Sequence, residues 1–104
     1  MNNADLKAFV DEMGPRIAVI VCDNGMRIAL NYKGREQRIE DIEYKTFGET
    51  DMFCIPRTEK WIVPGTAKNG QPVKIRHWHL TECIQCIIEA EDPEYAPDPI
   101  YAFG

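Results

Sequence analysis

Four side chains of the kind that bind metal ions fall within ten residues, as His77-x-His79-x3-Cys83-x2-Cys86. Imidazole and thiolate are the preferred donors for zinc. A His-x-His pair on a strand puts both rings on one face, as chelation requires. Convergence of the two sulfurs then needs a tight turn, and no glycine stands between Thr81 and Ile87 to help form one. Cys86 also shares strand phase with Ile84 and Ile88, where a thiol acts as a small buried hydrophobe. The spacing therefore favours packing and no cofactor, with a zinc site at His77, His79, Cys83 and Cys86 as the alternative.

Cys83 is the best-placed candidate nucleophile, with His77 or His79 near enough in sequence to serve as its base. Such chemistry also needs a depressed thiol pKa and an oxyanion site, and neither has a sequence signature here. The carboxylates Glu40, Asp41, Glu43, Glu49, Asp51, Glu89, Glu91 and Asp92 form no acid/base pair recognisable by context. No EF-hand spacing or phosphate loop occurs. The expectation is a chain without catalytic residues.

Aromatic residues offer a different kind of site. Trp61 and Trp78 are expected to meet across a hairpin, with Leu80 on the Trp78 side. Large aromatics in a small domain are mostly core, but beside an edge strand they can form a protein contact. Tyr95, Tyr101 and Phe103 lie in a segment with three prolines, Pro93, Pro97 and Pro99, which favours an extended chain able to add to a neighbouring sheet edge.

The elements that must position these residues are short. Leu6, Phe9, Val10 and Met13 mark one face of a helix, with Asn3 as N-cap and Gly14-Pro15 as its stop. Asn24-Gly25 between two apolar runs predicts a two-residue hairpin with Asp23 facing Met26, Val21 facing Ile28 and Val19 facing Leu30. A turn at Lys33–Glu36 follows. The mixed spacing of Ile39, Ile42, Tyr44 and Phe47 predicts a bent strand with a corner near Glu40-Asp41, and Met52 to Ile55 reads as a short strand closed by Pro56. A second hairpin is expected between Trp61–Thr66 and Val73–Leu80, with Pro64 confining its first arm to an edge. Ile84 to Ala90 completes a strand–corner–strand unit with Leu80.

The fold expected is mainly β (α+β): an N-terminal helix on a small bent antiparallel sheet or partly open barrel of 5–7 short strands. The element order is loosely similar to SH3-like and Sm-like barrels, a likeness of layout that carries no function. At 104 residues the chain suits one domain over 1–92, with an extended Pro-rich tail over 93–104. A net charge of −5 without a Lys/Arg run argues against nucleic acid, and the longest apolar stretch, Ile17 to Cys22, is too short for a membrane span. The first residues have no secretory pattern, so a cytoplasmic location with free thiols is expected for Cys22, Cys54, Cys83 and Cys86. The resulting functional expectation is a non-enzymatic protein-interaction module, self-associating or acting as an acidic inhibitor of a basic surface.

Overall fold

A computed structural model describes residues 1–30, 37–61 and 70–91. The turn expected at Lys33–Glu36, Pro64, and the tail with Tyr95, Tyr101 and Phe103 lie outside the described residues, as does the side chain of Trp61. The expected class holds: one N-terminal helix stands with three small antiparallel sheets, and no closed barrel forms among the described residues.

Helix α1 spans Asn3–Met13 and buries Leu6, while Phe9, Val10 and Met13 pack half-buried against the same core. Its N-cap is Asn2, one residue earlier than expected. The Asn2 side chain accepts from the Asp5 N–H at 2.8 Å, and Asp5 reaches back to the Asn2 N–H, closing a capping box. That frees Asn3 for another task. Its backbone N–H donates to Asp51 Oδ2 at 2.8 Å, and its amide donates to the carbonyls of Lys45 and Met52. The hydroxyl of the fully buried Thr81 donates to Asn3 Oδ1 at 2.6 Å. One side chain thereby ties the helix start to two distant segments.

The first sheet has the order β2-β1-β8, from β1 (Ile17–Cys22), β2 (Arg27–Ala29) and β8 (Ile84–Glu89). The β1–β2 hairpin forms where expected but one residue out of register: Val19 faces Ala29, Ile20 faces Ile28 and Val21 faces Arg27. The loop has three residues rather than two. The Gly25 N–H donates to the Cys22 carbonyl at 3.0 Å, and Gly25 takes φ +86°, the left-handed position that follows a type I turn in such loops. Because side chains alternate, that extra residue exchanges the pairings on each face. Ile20, Cys22, Ile28 and Leu30 join Leu6, Phe53 and Ile39 in the main core, while Ala18, Val19 and Val21 form a second cluster with Ile88 and Ala90.

The second sheet, β3-β4-β7, comprises β3 (Glu43–Phe47), β4 (Thr50–Cys54) and β7 (His79–Leu80). The expected corner is a 3₁₀ turn over Ile39–Asp41. Gly48-Glu49, read from sequence only as a turn, is a two-residue hairpin loop pairing Phe47 with Thr50, and Gly48 takes the positive φ of +64° that such loops require. A 3₁₀ corner at Thr81–Cys83 carries the chain from β7 into β8, as the strand–corner–strand pattern predicts.

The remaining pair is a ribbon of β5 (Arg57–Trp61) and β6 (Gln71–Ile75), in which Arg57 faces Ile75 and Trp61 faces Gln71. Its second arm ends at Ile75, short of the expected Leu80, and positions 62–66 of the expected first arm lie outside the described residues. The sequence Arg57-Thr58-Glu59-Lys60 has no apolar alternation, so hydrophobic pattern could not reveal it as a strand. Trp61 ends β5 opposite Gln71, whereas Trp78 lies three residues beyond Ile75 at the other end of β6; their expected meeting depends on the Trp61 side chain, which is outside the described residues.

Candidate functional site

β7 and the residues before it place the two histidines. His77 and His79 stack with ring centroids 4.2 Å apart, and His79 rests on the buried Phe53 ring at 5.3 Å. Burial, with lesser pushes from His77 and Arg57, lowers the His79 pKa from 6.5 to about 4. His79 is therefore neutral at physiological pH, the form that accepts a proton or a metal. Cys22, Asp23 and Cys83 share an open cleft of about 330 Å³ with both histidines.

The thiols divide differently from expectation. Cys22 and Cys54 are buried and Cys83 is half-buried, but Cys86 is exposed rather than packed with Ile84 and Ile88. The reason is a register shift in the β1–β8 ladder. Val21 faces Cys86 and Cys22 faces Ile84, so Gln85 is an extra residue and the strand's phase reverses across it. Ile84 and Ile87 turn to the main core, while Cys86 takes the face of Val21. The structure thus brings His77, His79 and Cys83 to one cleft and leaves Cys86 off it. Among the described residues no three His, Cys, Asp or Glu side chains form a group able to hold a metal ion.

Cys83 lacks the electrostatics of a nucleophile. Desolvation, the Asp23 and Glu82 carboxylates and a hydrogen bond to Asp23 all raise its pKa. The thiol is held protonated, opposite to what attack requires.

A second feature lies on the other side of β3-β4-β7. Tyr44, Phe53 and His79 form a row directed inward, so Lys45, Met52 and Leu80 in the next row point away from the core. Phe47 follows Lys45 on that outer face and is 72% exposed, and Leu80 is 38% exposed. The Lys45 ammonium sits 5.9 Å from the Phe47 ring centroid and 5.5 Å from that of the half-buried Trp78. It makes no ion pair among the described residues. At the opposite end of β3, Glu43 is closed off by Arg76, whose Nε donates to Glu43 Oε2 at 2.8 Å.

Trp78 therefore belongs with Leu80 as the sequence implied, and it shares the Lys45 ammonium with Phe47. The sequence pattern sets Phe47 in one bent strand with Tyr44. The two are three residues apart, an odd number, so one continuous strand must put them on opposite faces.

Compared with known proteins, the chain matches no family model, no curated protein and no solved structure. No helix among the described residues is long and apolar enough to cross a membrane.

Proposed function

We propose that this chain is a non-enzymatic protein-interaction module whose contact surface is the patch formed by Lys45, Phe47, Trp78 and Leu80. The observation that carries it is Phe47, 72% exposed at the end of a hairpin, with a lysine ammonium held over it and Trp78. Aromatic side chains such as Phe and Trp are enriched at the centre of protein contacts. Lys45, with no carboxylate partner among the described residues, specifies the occupant: a protein segment with an apolar side chain for the rings and an Asp or Glu for the ammonium. The four free cysteines support a reducing compartment such as the cytoplasm. Selection of random displayed peptides on the wild-type chain tests this reading. Enrichment of apolar residues next to Asp or Glu, lost on F47E and K45E, supports it. Equal enrichment on all three proteins sinks it.

A second reading, zinc binding through His77, His79, Cys83 and Cys86, is favoured by the stacked imidazoles and by Cys83 at the same cleft. It requires Cys86 to be brought to that cleft. Stoichiometric zinc in purified protein, lost in H77A/H79A, would support it; zinc below a tenth of an equivalent would remove it.

A further inference from the structure

We propose that two copies of this chain associate through β8, edge to edge and antiparallel, merging their three-stranded sheets into one. Natural sheets guard their free edges with lysines, prolines, charges, bulges or very short strands. Every other edge among the described residues is guarded in one of these ways. β2 has three residues including Arg27, β7 has two residues, and β3 carries Glu43 and Lys45. Both strands of the ribbon carry charges, and β6 also contains Pro72. β8 is the least guarded: Ile-Gln-Cys-Ile-Ile-Glu has six residues, no Lys, Arg or Pro and a single charge at its end, and its bulge at Gln85 leaves the stretch from Cys86 to Glu89 as regular strand. Among the described residues its one strand neighbour is β1.

The strand is also complementary to itself. A two-fold axis normal to the sheet requires one residue to face its own copy. Centred on Ile87, the pairing sets Cys86 against the partner's Ile88, and beyond it the bulged Gln85 stands nearest the partner's Glu89. Apolar side chains then meet apolar ones and polar meet polar. Centred on Cys86, it would set Gln85 against the partner's Ile87. Cys86 and Ile88 also share the face of the Val19–Val21 cluster, so the Ile87-centred pairing extends that cluster across the junction and covers the exposed thiol.

A strand of this length runs only about 20 Å, and the surface it buries falls below the roughly 1,200 Å² of a stable standard interface. The dimer is accordingly concentration-dependent. Each copy carries a net charge of −5, so added salt strengthens it by screening their repulsion. The surface is separate from the Phe47 patch, and the two proposals fail separately.

Sedimentation velocity over a hundredfold concentration series, at low and high salt, tests the inference. Wild type should move from monomer to dimer, at lower concentration in high salt. C86K and C86D, both at an exposed position, should require at least tenfold more protein to dimerise while keeping the wild-type melting temperature. F47E should dimerise as wild type does. A wild-type chain that stays monomeric throughout overturns the proposal, as does a dimer unaffected by either charge at position 86 or one lost in F47E.

Discussion

Replacing Asn3 with alanine tests the clamp between helix and sheets. The substitution removes the amide that donates to the Lys45 and Met52 carbonyls and the oxygen that accepts from Thr81. A net hydrogen bond contributes about 1 kcal/mol, and the bond to Lys45 is exposed and counts for less. The Thr81 hydroxyl, on a residue with no exposed surface, is then left without its partner, costing about another 1–2 kcal/mol. Asn3→Ala should therefore destabilise the fold by about 2–4 kcal/mol in urea unfolding at unchanged m-value. Thr81→Val keeps the shape and removes the hydroxyl, so in the double variant the orphan penalty vanishes. The double-variant cycle should return a coupling of about 1–2 kcal/mol between residues 78 positions apart. A cost under 1 kcal/mol for Asn3→Ala, or no coupling, would refute the reasoning.

Other consequences can be checked with simple measurements. His79 charges at about pH 6.5 when unfolded but only near 4 when folded, so protonation favours the unfolded chain and stability falls with pH from 7 to 5. Allowing for solvent screening at this half-buried ring, the loss is about 1–2 kcal/mol over that window, and His79→Gln should flatten the slope of thermal or urea unfolding against pH. The buried Tyr44 hydroxyl has no hydrogen-bond partner among the described residues, so Tyr44→Phe should leave the melting temperature unchanged or raise it; a drop of several degrees would contradict this. Timed iodoacetamide labelling at low micromolar concentration should modify Cys86 first and Cys83 more slowly than a free thiol, with Cys22 and Cys54 reacting only on unfolding.

Much of the architecture is legible in the sequence because strong local signals act alone there. The Leu6–Met13 stripe, the Gly14-Pro15 stop and the apolar run of β1 determine their elements whatever packs on them. The errors arise where one residue changes phase. Asn24-Gly25 announces a hairpin, but whether Gly25 closes a two- or three-residue loop depends on the packing of Ile20 and Ile28, which no local pattern encodes. Gln85 is invisible as a bulge for the same reason, and it is this bulge that turns Cys86 out of the phase of Ile84. β5 was missed because its polar side chains carry no alternation. Of the candidate site, the approach of His77 and His79 and the pairing of Trp78 with Leu80 follow from period two alone. Phe47 and Lys45 become legible only once Gly48-Glu49 is recognised as a hairpin loop that fixes which face each occupies.

Photo-crosslinking in cells that carry the protein tests the interaction surface most directly. A benzoylphenylalanine at position 47 should yield a discrete adduct with another protein that disappears when K45E is added to the same chain. The same probe at exposed Glu12 on the helix should yield none. No adduct at position 47, or an identical pattern from both positions, would contradict the account.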